Sequence, residues 1–377
     1  MRKLLITTII ILSVALAGCI GWAVSLQRNP QNPSLQETNP TGTAFPTEKP
    51  DPTEEPTQLP TQPPTEPPKE QRFTLTFVGD CTLGTMPDWE YLSYCFPKII
   101  GTDYDKPFQY VRHLFENDDC TFVNLESVIA SSGEQQDKRF TFIGPPEYIN
   151  ILTGSSVEAV NLANNHTLDF GEGAYAETKT ILENNHVYYC EKDLGTLFTT
   201  ESGLCIGLYG TRGTLDEEAM AREIAWMRQA GAQIVIASAH WGTEGAYHPT
   251  DSQENAAHTL IDAGVDIVWG HHPHVLQKIE QYNGGIIYYS LGNFSFGGNH
   301  NPKDKDTAIL QQEIVIAPDG TVSLGKLTII PCAVSTKTDS NDFQPIPVEE
   351  GSTQYDRILS KLDDTFTGKD LNVSYNN

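Results

Sequence analysis

Apolar positions along this chain fall into short runs that stop abruptly at polar residues. Residues 234–239 form a continuous, largely β-branched run ended by His240, and residues 265–269 form a second run followed by Gly270, His271, His272, Pro273 and His274. Runs this short, apolar at nearly every position, predict strands buried on both faces of a parallel sheet, with their polar residues delivered at the carboxyl edge. The segment between them reads as a helix closed by Asp262, Ala263 and Gly264, so the unit is strand, helix, strand. Its two strands are then parallel neighbours or near-neighbours, and their ends point imidazoles at one crevice.

The same stop recurs upstream. Residues 73–78 alternate and end at Gly79-Asp80, residues 120–123 end at Asn124-Leu125-Glu126, and residues 157–161 run into Asn164-Asn165-His166. Together with the two later runs, five predicted strand ends carry oxygen or imidazole donors. Residues 103–117 predict a loop and a helix with Val111, Leu114 and Phe115 on one face, and a polar excursion over residues 134–139 predicts a loop over the site. A helix over residues 171–185, a short strand at 188–190 and a strand at 204–209 follow. Asp216 then caps a helix running to Ala230, with Glu217 and Glu218 in its first turn. A strand at residues 285–290 leads into a polar turn at 291–296. Residues 307–316, the turn Ala317-Pro318-Asp319-Gly320 and residues 321–330 predict an antiparallel hairpin. The pattern is that of an α/β domain in which two sheets pack together with helices outside, followed by a terminal antiparallel β meander.

Composition separates this domain from what precedes it. Residues 1–26 combine a basic start, an apolar run and the tetrapeptide Leu16-Ala17-Gly18-Cys19. Two readings fit: an export signal whose lipobox-like end leaves an acylated Cys19, or an uncleaved membrane anchor. Both place the following domain on the extracytoplasmic face of the cell membrane, attached through its N-terminus. Residues 27–71 are rich in Pro, Thr and Glu and predict an extended linker, residues 72–340 the globular domain, and residues 341–377 a C-terminal extension. A formal charge of -25 argues against a nucleic-acid partner, whose phosphates it would repel. Of the seven cysteines, Cys19 aside, none of the remaining six shows Cys-x-x-Cys spacing, and disulfides and buried thiols are both open.

Asp, Glu, Asn and neutral His without thiolate suit a divalent ion such as Mn, Fe, Zn or Mg. Six or more such donors exceed one tetrahedral zinc shell; one or two ions would use them, and a two-ion centre stabilises the attacking and leaving oxygens of phosphate-ester hydrolysis. His271 reads as a residue shaping the turn, and Cys81 as packing without a base to activate it. His113, His186, His248, His258 and His300 read as ordinary surface or helix residues. Trp241 and Trp269 are expected to pack the crevice wall.

Taken in order, Val78-Gly79-Asp80, Asn124-Leu125-Glu126, Ala163-Asn164-Asn165-His166 with Asp169 and Gly171, His240-Trp241-Gly242 with Glu244, Gly270 through Val275, and Ser290-Leu291-Gly292-Asn293-Phe294 resemble the poly-γ-glutamate capsule synthesis (CapA) family. That family is similar to the calcineurin-like metallophosphoesterases, and the resemblance spans roughly residues 73–330. It implies a four-layer αββα sandwich. It also implies Asp80 and His274 on one metal ion, Asn165, His240 and His272 on a second, and Glu126 bridging. His166 would meet the scissile group, and Asn124, Glu244 and Asn293 would be further site residues. The chain departs from the phosphoesterase pattern at Asp80-Cys81-Thr82, which lacks the usual histidine, and where Asn-Leu-Glu replaces Gly-Asp. The implied function is synthesis, export or anchoring of an anionic capsule polymer, poly-γ-glutamate, by a metal-dependent hydrolase acting on the polymer or a phosphoester. The alternatives are a non-catalytic accessory subunit that works with membrane polymer-synthase subunits, or a cell-surface phosphodiesterase or nucleotidase.

Overall fold

A computed structural model of the chain describes residues 69–373. The expected export signal or anchor and nearly all of the expected linker lie outside these residues. In chain order the strands are β1 (Gln71–Thr82), β2 (Cys120–Leu125), β3 (Val128–Ile129), β4 (Ile143–Gly144), β5 (Ala159–Asn161), β6 (Tyr188–Cys190), β7 (Gly195–Thr199) and β8 (Cys205–Arg212). Then come β9 (Ile234–His240), β10 (Ile267–His271), β11 (Ile279–Tyr282), β12 (Gly285–Tyr288), β13 (Asn293–Phe296), β14 (Asp306–Ile316), β15 (Val322–Ala333) and β16 (Ile346–Pro347). The α-helices are α1 (Phe96–Ile100), α2 (Arg112–Phe115), α3 (Ile149–Thr153), α4 (Gly171–Asn184), α5 (Glu217–Gln229), α6 (Asp251–Asp262) and α7 (Thr353–Leu362).

The strands build two main sheets. One has the order β16-β15-β14-β1-β2-β5-β6, with β13 also pairing with β1; the other has the order β11-β12-β10-β9-β8-β7. In the first, β1, β2, β5 and β6 are parallel, while β14, β15 and β16 add the antiparallel meander beside β1. In the second, β8, β9, β10 and β12 are parallel.

Side-chain alternation then fixes the layers. On β9, Ile234 and Ile236 point to a core shared with Leu75, Phe77 and Phe122 of the first sheet, while Val235 and Ala237 join an outer core with Met220 and Met227 of α5 and Leu260 of α6. The outer face of the first sheet, through Val78, Val123 and Val160, packs on Phe96 of α1, Phe115 of α2, Ile151 of α3 and Leu182 of α4. Helix, sheet, sheet, helix is the four-layer αββα sandwich that the resemblance implied, and both faces of β2, β9 and β10 are buried, which is why those runs are so largely apolar. Asp216 caps α5 by accepting from the Ala219 amide, and Thr250 with Gln253 closes a capping box on α6.

Three segments depart from the sequence reading. Residues 293–296, expected as a polar turn, form β13, which lies parallel to the end of β1 with Asn293 opposite Asp80. The helix expected within residues 103–117 is only the short α2, after a 3-10 turn at Lys106–Phe108. Beyond residue 340 the chain adds β16 and α7, whose Ile358 and Leu362 reach the core between the sheets. All six cysteines of the described residues are free thiols. No helix among the described residues is long and apolar enough to cross a membrane.

The β1–β13 approach demands a residue without a side chain. A Cβ on Gly79 would lie 2.1 Å from the Gly292 carbonyl oxygen, which accepts from the Asp80 amide at 2.8 Å. Because both partners are backbone, the clash cannot be relieved by a rotamer change. Gly79→Ala is expected to destabilise the protein by about 1–3 kcal/mol, read as a lowered urea midpoint at unchanged slope; an unchanged midpoint would show that this contact is looser than described.

Candidate metal centre

The five strand ends do converge. β1 carries Asp80 two residues before its end, β2 leads to Glu126, and the turn after β5 carries Asn164, Asn165 and His166; from the other sheet, β9 ends at His240 and β10 at His271. His240 and His271 stand side by side in register. The turn after β10 then bends sharply, with φ of 95° at His272 and 57° at His274, a left-handed backbone that non-glycine residues adopt at a cost of about 1–3 kcal/mol each. That bend brings both imidazoles back into the crevice: the His240 and His272 ring centroids lie 4.8 Å apart, and those of His272 and His274 5.9 Å apart.

The donor atoms fall into three groups, each with all its atoms within 4.8 Å of one another: Glu126 with His240 and His272, Asp80 with Glu126 and His274, and Glu244 with His272 and His274. Glu126 is common to the first two. Around Asp80, His271 Nδ1 lies 3.2 Å from Oδ1 and His274 Nδ1 lies 3.1 Å from Oδ2. Neither ring nitrogen is aligned for a hydrogen bond. Donors about 3 Å apart but unaligned are what adjacent ligands of one ion look like, given metal–ligand bonds of about 2.1 Å near right angles.

The donor set tests the fit of a cation directly. Both carboxylate oxygens of Glu126, both ring nitrogens of His240 and of His271, Nδ1 of His272 and of His274, and the side-chain oxygens of Asn165 and Asn293 are buried with no hydrogen-bond partner. Leaving even one such group unsatisfied costs roughly 1–3 kcal/mol. A buried cluster this rich in carboxylate, amide-oxygen and imidazole-nitrogen ligands, left without partners, supplies what a cation needs, so these residues fit a divalent metal.

Charge follows from the same crowding. Burial and the neighbouring Asp80 push the Glu126 carboxyl well above the usual carboxylate range. Burial would raise Asp80 as well, but His271 and His274 hold it well below its ordinary value. Burial takes His240 well below the ordinary imidazole value and His272 down to about 4. For His274 burial is outweighed by Glu126 and Asp80, which raise it to about 10. Burial opposes charge on Glu126 while the carboxylates hold a proton on His274, so the metal-free cluster is protonated at neutral pH. Coordination needs its ligands deprotonated, so metal affinity is expected to rise with pH and binding at pH 7 to release at least one proton. Calorimetry in buffers of different ionisation enthalpy measures the number, and zero release would contradict the arrangement.

His166 faces the ring with Nε2, 3.9 Å from Glu126 Oε1, while its Nδ1 lies 2.6 Å from Asp169 Oδ2. Asp169 also accepts from the Phe142 amide at 2.8 Å and from Lys138, whose ammonium donates to the Asn165 carbonyl oxygen at 2.7 Å. The loop expected over the site thus grips the His166 support, and the Gln136 amide donates to the Asp169 carbonyl. With Nδ1–H committed to Asp169, Nε2 carries the free lone pair.

Asn124 is placed behind Asp80. Its amide donates to Asp80 Oδ1 at 2.8 Å, and its oxygen accepts from Asn161 at 2.9 Å and Asn164 at 3.3 Å, so its oxygen is already used and its role is to orient Asp80. Asn293 donates to the His274 carbonyl and leaves its oxygen free. Sequence reasoning under-weighted His271, which sits among the donors, and gave no role to Asp169; its spacing of three residues from His166 was the available signal. Cys81 is buried and its thiol pushed up by that burial, as packing requires. Trp269 packs edge-on behind His271 and donates to the Val78 carbonyl, and Trp241 donates to the Tyr289 carbonyl; both lie in the cores rather than on an open wall.

Comparison with known proteins agrees with this frame. The PGA biosynthesis protein CapA of Bacillus subtilis (strain 168) is 30% identical over 283 residues, covering 68% of this chain and 71% of the relative. The capsule biosynthesis protein CapA of Bacillus anthracis is 26% identical over 324 residues, covering 78% and 72%. A probable polyglutamine synthesis accessory protein of Mycobacterium tuberculosis is 26% identical over 254 residues, covering 58% and 66%. Residues 74–190 and 198–298, which hold every donor described above, match the bacterial capsule synthesis protein PGA_cap family, and the chain belongs to that family.

Proposed function

We propose that this protein works on the outer face of the cell membrane in making, exporting or anchoring an anionic capsule polymer of the poly-γ-glutamate kind, as a metal-dependent hydrolase tethered through its N-terminus. The ring of buried, unpartnered lone-pair donors around Glu126 carries this reading. The family and its CapA relatives supply the capsule context, and the apolar start of the chain with Cys19 supports the tether.

When bound, one or two divalent ions would supply Lewis acidity and a water of lowered pKa. Asp80, Glu126, Asn165, His240, His272 and His274 are the residues that would hold them, with Glu126 shared and His271 a further donor. Glu244, only partly buried beside His272 and His274, stands where it can meet the ligand. His166 accepts or returns a proton through Nε2, oriented by Asp169; burial lowers its pKa more than Asp169 raises it, so it is neutral and able to accept at pH 7. Asn124 positions Asp80 rather than touching the substrate.

The chain's charge of -25 favours a second reading, in which the crevice holds an ion but the protein serves a polymer synthase as a non-catalytic subunit, because a polyanion is repelled by so acidic a surface. Hydrolysis of bis(p-nitrophenyl) phosphate by the Mn2+-loaded protein decides between them. Turnover that disappears on chelation and returns with Mn2+ supports the hydrolase. Stoichiometric Mn2+ binding without turnover of phosphodiester or polymer leaves the accessory role.

A further inference from the structure

The residues that follow α7 return to the mouth of the metal centre. The Leu371 amide donates to the Gly245 carbonyl at 2.9 Å, the Tyr247 amide donates to Asp370 Oδ1 at 2.9 Å, and Lys303 donates to the Asn372 carbonyl at 3.2 Å. Gly245 follows the site residue Glu244 and is shaped for this contact: φ is 78°, and a Cβ there would lie 2.7 Å from Val373 Cγ2 and 2.8 Å from the Leu371 carbonyl oxygen.

Behind it the segment is locked. Lys361 of α7 is 2% exposed and donates to Asp304 at 2.6 Å and to Asp306 at 2.7 Å, while Arg357 grips Asp306 with two hydrogen bonds of 2.7 Å. The ammonium also lies over the rings of Tyr247 and Phe366. A segment held this firmly at both ends is a wall, not a tail.

The wall belongs to a cleft of about 420 Å³ in which His166, Glu244 and His274 meet an apolar lining of Trp89, Phe140, Phe142 and Phe296, with Leu371 and Val373 closing the C-terminal side. Val373 is 38% exposed, an apolar side chain left uncovered beside the donor ring. Leu371 and Val373 lie outside the family-matched residues.

We propose that residues 363–373 are a specificity-determining wall of the metal-centre cleft, selecting ligands whose metal-binding oxyanion carries an apolar or planar group over those with a small or bare one. The selection rests on the metal reading above, because the oxyanion is placed by the ion and the apolar group by the wall. Burying one ring against such a lining favours the larger ligand by about tenfold.

The test is calorimetric binding of phenylphosphonate and methylphosphonate to the Mn2+-loaded protein, with benzoate and acetate as the carboxylate counterparts. The intact protein is expected to prefer the ring-bearing member by about tenfold, within the phosphonates for a phosphoester-like ligand or within the carboxylates for a carboxylate ligand. A chain ended after Gly368, and the Leu371→Ser, Val373→Ser double variant with full chain length, should both lose most of that preference. Their Mn2+ stoichiometry and affinity for the smaller ligand should be kept. A preference that survives in both variants, or that the intact protein lacks, overturns the wall. Failure of the intact protein to bind Mn2+ overturns the metal reading instead, and this inference with it.

Discussion

Replacing His240 by alanine is expected to weaken Mn2+ binding by well over about a hundredfold, since changes to mere supports of metal ligands already cost about 10–100-fold. The imidazole is 3% exposed, its Nε2 is 3.7 Å from Glu126 Oε1, and neither ring nitrogen has a hydrogen-bond partner. A residue in that position contributes little to the metal-free protein, because an unpartnered buried polar group is a burden to folding. His240→Ala is therefore expected to leave the unfolding midpoint of the metal-free protein nearly unchanged while abolishing the rise in midpoint that added Mn2+ produces in the parent. His258→Ala is the control: that ring stacks on Tyr282 and pairs with Glu280 at 2.8 Å, away from the centre, and metal binding should be untouched. Retention of full Mn2+ affinity by the His240 variant would falsify the assignment of this histidine as a ligand.

The second large effect concerns stability. Lys361→Ala removes the cation shared by Asp304 and Asp306, which are 8% and 2% exposed. Arg357 and Gln354 still serve Asp306, but Asp304 keeps no cation, only the Tyr247 hydroxyl at 2.7 Å and the Asp306 amide at 3.0 Å. Breaking a buried pair by deleting one partner costs about 3–5 kcal/mol, because the other charge stays buried. The urea midpoint should fall accordingly, and Lys361→Met, which keeps the stem but not the charge, should fall nearly as far. A loss below about 1 kcal/mol in both variants would mean that the network is wet and weak, like a surface pair.

Much of the layered core was legible because buried parallel strands and amphipathic helices leave strong local patterns. The runs at Ile234–His240 and Ile267–His271, the Asp216 cap and the β14–β15 hairpin were each written in adjacent residues. The donor ring was legible for a related reason: a parallel strand exposes its polar residues at one end, so Asp80, His240 and His272 announced themselves by where the apolar runs stopped. What escaped was fixed by distant partners. β13 finds a place because the β1–β14 ladder stops at Phe77 and Leu310 and leaves the end of β1 an edge to pair, which no feature of Asn293-Phe294-Ser295-Phe296 declares. Asp304 and Asp306 look like solvated loop charges until α7 lays Lys361 and Arg357 on them from about fifty residues downstream. His271 looked like one member of a turn, and its place beside Asp80 depends on the register of β10 against β9.

Asp80, Glu126 and His166 hang from one sheet, whereas His240, His271, His272 and His274 hang from the other. Apart from this crevice the two sheets meet largely through apolar side chains, which resist separation but offer little direction against sliding. An ion gripped from both sides would act as a rivet. Shear between the layers would have to break coordination bonds, and amide exchange along the inner strands of both sheets should slow together, as one unit, when metal is added.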